Sequence, residues 1–232
     1  MIINKAMILA AGFGKRMLPI TQETPKPLIM IGSKNLLERS IELLIKIGIN
    51  ELIINTHYLP QEIDNFLKTK NYGISINVIH EQELLDTGGG ILNATKKFEN
   101  LPFFVLNPDT IWNKNYYEEL KILENSYMAN NKPILLLVDK KISHDKSFTG
   151  DFNFKKNKYV TREAANQYIF TGAQIINRSI FEGINKKVFS MNLVWDKMIE
   201  EKILLGEESN QTFFHINNFN VYEELNKLKF ID

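Results

Sequence analysis

Five short apolar runs mark the first 139 residues: AMILAA (6–11), ELIINT (51–56), ISINVIH (74–80), PFFVLN (102–107) and PILLLVD (133–139). Between them the periodicity becomes helical. Leu36, Leu37, Ile41, Leu44 and Ile45 recur at three and four from Asn35 to Ile47, and Gly48 stands where a C-cap belongs. A more polar helix is predicted from Pro60 to Lys70, another after Gly88–Gly90, and a third over 114–129. Strands alternating with helices require right-handed crossovers, so a mostly parallel central sheet flanked by helices is expected. Ligands of such sheets bind beyond the carboxyl ends of the strands. The loops after residues 11, 56, 80 and 107 are therefore where a site is expected.

After about Asp139 the rhythm changes. DFNF, KYVTRE and YIFTGAQII are short, polar-flanked and aromatic, which predicts antiparallel strands or hairpins. A helix is expected over 191–205, then a strand TFFHIN (212–217), then a last helix from about Val221. With no internal repeat and no low-complexity linker, the expectation is one α/β domain over 1–232, with a regular first section (residues 1–139) and an elaborated second section (residues 140–232).

Lys+Arg number 28 and Asp+Glu 27, and a net charge of +1 gives no electrostatic case for nucleic acid or a membrane surface. The absence of cysteine excludes disulfides, thiolate metal sites and a cysteine nucleophile. No apolar run approaches the roughly 20 residues of a membrane helix. The apolar stretch Ala6–Ala11 is too short for a signal peptide and runs straight into Gly-x-Gly-Lys-Arg. The expectation is a cytoplasmic protein; oligomeric state stays open.

Basic chemistry must then be local, and the first loop concentrates it. Gly12 and Gly14 permit a tight turn whose amides can cradle phosphate oxygens, although a lone Gly-x-Gly is as often only a strand–helix turn. Arg16 adds a fork able to grip two phosphate oxygens. Lys26 lies between Pro25 and Pro27, either as an ordinary loop lysine or as an ammonium presented from a stiffened segment. The order is not that of a P-loop, and Met17 breaks the dinucleotide fingerprint.

Taken as one unit, L-A-A-G-x-G-x-R-M…P-K-P-L over residues 9–28 resembles the signature of the sugar-1-phosphate nucleotidyltransferases. The resemblance extends over nearly the whole chain. It implies a Rossmann-like fold and transfer of a nucleotidyl group from a nucleoside triphosphate to a sugar 1-phosphate, with release of pyrophosphate. It makes residues 1–139 the nucleotide-binding section and residues 140–232 an antiparallel sugar-binding section. It also places nucleotide contacts on Leu9, Ala11, Gly12, Gly14, Lys15, Arg16 and Lys26, with Arg16 on the triphosphate and Lys26 on the phosphoryl group under attack. Members with a C-terminal β-helix of hexapeptide repeats carry a second activity; none is expected here.

Asp109 follows the run FFVLN. Read alone, it suits either a Mg²⁺ ligand facing phosphates or a cap for the next segment. The resemblance implies the first, with Asn107 on the same strand face assigned to substrate. The second metal ligand it implies falls on "FHINNFN", at Asn217 with Asn218 possible, where many relatives have Asp-x-Gly-Thr. The base-reading loop falls on "HEQELLDTGGG", at Glu81, Thr87 and Gly88; three glycines opening a helix are otherwise a flexible turn.

Asp86 before Thr-Gly-Gly-Gly, the segment Gly150-Asp151-Phe152 and "FTGAQIINRSIFEG" (170–183) resemble the N-acetylmuramate 1-phosphate uridylyltransferases of peptidoglycan recycling. That subgroup implies UTP as donor, N-acetylmuramate 1-phosphate as acceptor, and sugar contacts at Asp151, Thr171 and Gly172. The alternatives are guanylyl, cytidylyl or thymidylyl transfer to a hexose or heptose 1-phosphate or choline phosphate, or an idle nucleotide-binding regulatory protein. His57, His80, His144 and His215 lack metal-ligand spacing and are read as structural; His57 and Tyr58 also follow a strand end at the cleft.

Overall fold

The computed structural model describes residues 2–154 and 157–228. Its strands are β1 (Lys5–Ala10), the two-residue pair β2 (Met30–Ile31) and β3 (Lys34–Asn35), β4 (Glu51–Thr56), β5 (Ser75–His80), β6 (Phe103–Leu106), β7 (Ile134–Asp139), the pair β8 (Asn153–Phe154) and β9 (Val160–Thr161), β10 (Tyr168–Ile176) and β11 (Leu205–Ser209). The helices are α1 (Leu36–Ile47), α2 (Pro60–Lys68), α3 (Asp86–Ala94), α4 (Tyr116–Asn130), α5 (Met191–Glu200) and α6 (Phe219–Lys227). Seven strands form one sheet in the order β11-β7-β10-β6-β1-β4-β5. All its pairings are parallel except those of β10, which runs antiparallel to β6 and to β7.

The strands bury both faces, as their continuous apolar runs require. Along β1, Ala6, Ile8 and Ala10 face one core with Leu37, Ile41 and Leu44 of α1 and Leu120 and Leu123 of α4. Met7 faces the other, with Ile91 of α3 and Val194, Trp195 and Met198 of α5. Phe104 and Leu106 against Phe103 and Val105 repeat the same period of two along β6. No helix among the described residues is long and apolar enough to cross a membrane.

Local chemistry sets the ends of α1. Asn35 caps it, its Oδ1 accepting from Glu38 N at 2.8 Å, and Gly48 closes it at φ 105°. Asn35→Ala should cost about 1 kcal/mol, read as a lower urea midpoint at constant slope. An unchanged midpoint would remove the cap from the account.

Several expectations change. The three glycines lie inside α3, which opens at Asp86, rather than before it. The helix expected over 191–205 ends at Glu200; Lys202 turns the chain at φ 55°, and Leu205–Ser209 becomes the seventh strand. TFFHIN is no strand. It makes only single bridges, Thr110 to His215 and Ser143 to Phe213. β10 is indeed antiparallel, yet it enters the main sheet between two parallel groups, so residues after 139 share that sheet with those before.

Candidate functional site

A cavity of about 570 Å³ opens beyond the carboxyl ends of β1, β4 and β6, lined by Ala10, Asn55 and Asn107 among others. Eleven of the residues singled out from the sequence line it: Leu9, Ala11, Gly12, Gly14, Lys15, Arg16, Lys26, Thr87, Asn107, Asp109 and Asn217. They come from chain positions over 200 residues apart, and the sheet brings them together.

The first loop is shaped by close approach. Gly14 has φ 63°, and a Cβ there would lie 2.9 Å from Thr21 Cγ2 and 3.1 Å from Lys26 Cβ. Met17 is buried at the cavity's edge in a small core with Ile29, Ile31, Leu36, Ile216 and Val221, which explains an apolar residue where the dinucleotide fingerprint has glycine. His57 and Tyr58 do not line the cavity. Their rings pack on Phe13, and Tyr58 Oη donates to Thr21 O at 2.6 Å, so they brace the loop from behind.

Lys26 Nζ donates to Asp109 Oδ2 at 2.6 Å, with the two side chains only 15% and 22% exposed. Asp109 Oδ1 is buried without a hydrogen bond, and His215 Nε2 lies 3.2 Å from it. Burial opposes ionisation of Asp109. The Lys26 ammonium and His215 outweigh it and hold the carboxyl well below the usual carboxylate range. His215, read from the sequence as structural, thus stands against the central carboxylate. Its segment is pinned there by Ile216 N donating to Asp109 O and Ile111 N to Phe214 O, both at 2.8 Å.

Asn217 lines the cavity, whereas Asn218 caps α6 through its Oδ1 and is committed to that cap. The Asp109 carboxylate, whose Oδ1 makes no well-formed hydrogen bond, and an amide oxygen on Asn217 suit a cation that takes one or two carboxylates and completes its shell with phosphates. Among the described residues, no group of three or more His, Asp or Glu side chains could hold a metal without such a ligand.

Five expected residues sit elsewhere. Glu81 is buried and spends both oxygens inside the fold: Oε1 accepts from Asn55 Nδ2 at 2.7 Å and Oε2 from Leu85 N at 3.1 Å. It ties β4 to the loop before α3 and lies outside the cavity lining. Gly88 is buried because Phe189 leaves no room for a Cβ, which would lie 2.4 Å from its ring. Thr171 is buried with its hydroxyl donated to Leu136 O across β7. Gly172, at φ 95°, forms the irregularity in β10 and receives Asn107 N on its carbonyl at 2.8 Å, so it positions Asn107. Asp151 Oδ2 accepts from Phe170 N at 2.9 Å, outside the cavity.

Other lining residues escaped the sequence reading. Asn55 bridges β1 and Glu81, its Oδ1 accepting from Ala10 N at 3.0 Å. Leu84 in the loop before α3 and Val188 in the loop before α5 also line the cavity, beside Asp86, which opens α3 and was marked in the sequence only as a subgroup feature. The two loops are joined by Gly89 N donating to Phe189 O at 3.0 Å, Phe189 N to Leu85 O at 3.2 Å and Met191 N to Thr87 Oγ1 at 2.8 Å. Only the polar ending of ELIINT could have flagged Asn55. Leu84 and Val188 carry no sequence signal.

Comparison with known proteins places this geometry. A family model described as nucleotidyl transferase matches residues 5–162, more than half of the chain. A probable mannose-1-phosphate guanylyltransferase 1 of Oryza sativa subsp. japonica is 31% identical over 194 residues, covering 81% of this chain and 54% of its own length. A mannose-1-phosphate guanyltransferase 2 of Candida glabrata is 30% identical over 210 residues, 86% and 57% of the two chains. The chain spans about half the length of the curated relatives it matches. Among solved structures, HddC from Yersinia pseudotuberculosis aligns over 97% of this chain and 99% of its own, with a TM-score of 0.77 at 24% identity. A UDP-glucose pyrophosphorylase complexed with UDP-glucose aligns over 98% of each chain, with a TM-score of 0.81 at 17% identity. These two likenesses show the fold, a Rossmann-like α/β plan.

Proposed function

Because the chain belongs to the nucleotidyl transferase family, we propose that it transfers a nucleotidyl group from a nucleoside triphosphate to a sugar 1-phosphate. The observation that carries this reading is the Lys26–Asp109 pair in the cavity beside the Gly12–Arg16 loop. An oxygen of the sugar 1-phosphate forms a bond to the α-phosphorus while the bond to the β-phosphate oxygen breaks, and pyrophosphate leaves. The attacking phosphate is already ionised, so no covalent enzyme intermediate is needed. The protein's task is positioning and charge neutralisation.

Arg16 holds the leaving phosphates bidentately. Lys26 donates to the α-phosphoryl oxygens, and its three N–H donors let it do so while keeping Asp109. Asp109 and Asn217 would hold Mg²⁺, which when bound neutralises charge on the transferred and leaving phosphates. Thr87 shapes the loop wall through Met191, and Asn107 is the cleft's group for the acceptor.

The names of the curated relatives support a guanylyl donor with mannose 1-phosphate, or a closely related acceptor, over the uridylyl donor expected from the sequence. The uridylyl reading keeps sequence observations of its own, the run Asp86-Thr87-Gly88-Gly89-Gly90, the segment Gly150-Asp151-Phe152 and residues 170–183. Pyrophosphate release measured with each triphosphate against a panel of sugar 1-phosphates separates them. The expected result is turnover with GTP and mannose 1-phosphate or a heptose 1-phosphate. Turnover only with UTP and N-acetylmuramate 1-phosphate would reverse the choice of donor. Mg²⁺-dependent nucleotide binding with no pyrophosphate from any pair would show an idle nucleotide-binding protein instead.

A further inference from the structure

The amide of Asn217 has its orientation dictated from two sides. Val221 N, in the first turn of α6, donates to Asn218 Oδ1 at 3.0 Å, so the Asn218 oxygen is spent on the cap. Asn218 Nδ2 is then the group that meets Asn217, and it donates to Asn217 Oδ1 at 2.8 Å. Asn217 Nδ2 in turn donates to Asp145 Oδ2 at 2.7 Å. An ionised carboxylate only accepts, and the capping oxygen only accepts here, so the hydrogen bonds run in one direction from helix end to carboxylate. Neither amide can flip without setting two donors or two acceptors face to face. Asp145 is itself fixed, with Ser147 N donating to its Oδ1 at 2.8 Å.

We propose that Asp145 is a positioning residue for Asn217: it takes the amide nitrogen, so that the amide oxygen is what Asn217 offers, with Asp109, to a divalent cation. The inference rests on the nucleotidyl-transfer reading of the cavity. An amide oxygen keeps a second lone pair after accepting from Asn218, and that pair is the donor the site requires. The carboxylate behind the amide nitrogen also polarises the amide and strengthens its oxygen as a ligand, as carboxylates behind metal-bound imidazoles do. Position 217 itself is neutral, and Asp145 restores a negative charge one hydrogen bond away.

The test is Mn²⁺ binding to the protein alone, read from the electron paramagnetic resonance signal of the free ion, because added triphosphate would itself chelate the ion. Asp145→Ala should weaken Mn²⁺ about tenfold, the scale for an outer partner of a metal ligand. The exchange Asp145→Asn with Asn217→Asp rebuilds the hydrogen bond with reversed polarity and puts the charge on position 217; it should bind Mn²⁺ at least as tightly as the wild type. Wild-type affinity in Asp145→Ala, or an exchange variant that stays as weak as Asp145→Ala, would overturn the proposal. Undiminished Mn²⁺ binding in Asp109→Ala would instead overturn the metal site on which it rests.

Discussion

Lys26→Ala is expected to lower turnover by roughly two to three orders of magnitude, the scale for one lost electrostatic donor at a developing charge. The lysine is held by its backbone as well as by its partner. Pro25 and Pro27 flank it, and Leu28 N donates to Pro25 O at 2.8 Å, closing a short turn that aims the side chain at Asp109. Its removal has a second consequence. Asp109 loses the cation that outweighs its burial and is left with His215 at 3.2 Å. The variant should therefore bind triphosphate with modest change and fail mainly in kcat. Steady-state pyrophosphate release with a melting curve checks this. A folded Lys26→Ala protein with near wild-type kcat would take the lysine out of the reaction.

The second large effect is expected from a glycine that touches no substrate. A Cβ at Gly89 would lie 2.3 Å from Lys187 O, a backbone atom that can retreat only by moving its loop. Gly89→Ala should destabilise by about 1–3 kcal/mol through overpacking, against roughly 1 kcal/mol gained in helix propensity. The forced separation also pulls apart the wall carrying Leu84, Asp86, Thr87 and Val188. KM for the nucleotide should rise more than kcat falls, the reverse of Lys26→Ala. Unchanged KM and urea midpoint would show that the loops adapt without cost.

The contrast between the two residues marks how far the sequence could be read. Lys26, Arg16 and Asp109 could be placed at the cavity because the family resemblance of residues 9–28 and of the segment after FFVLN resolved readings that each residue alone left open. The same reading misplaced Glu81, since a carboxylate beside a glycine run looks equally suited to a base or to a buried loop anchor. Only the two acceptances from Asn55 and Leu85 decide. His215 was hidden for another reason. FFHIN alternates like a strand, but the pairing partner of that segment is the irregular stretch 109–111, so its side chains follow no sheet register. The strand β11 was lost because Leu205 stays in phase with Met191, Val194, Trp195 and Met198 of the preceding helix, while Lys202 turns the chain in a left-handed conformation that lysine does not advertise.

The reversed strand β10 has a consequence for how this chain can diversify. Tyr168 pairs with Asp139, so the segment 140–167 leaves the sheet and rejoins it at adjacent positions. From that segment Asp145 reaches Asn217 at the cavity. The insertion is thus a cassette with its two ends already side by side. Lengthening it costs little more than loop-closure entropy, which grows by only about 0.6 kcal/mol per doubling of length, so long as Phe152 and Val160 keep their places in the core. A change in the segment is therefore felt at the cavity through Asp145 and Asn217, while β1 and β6 keep their own register.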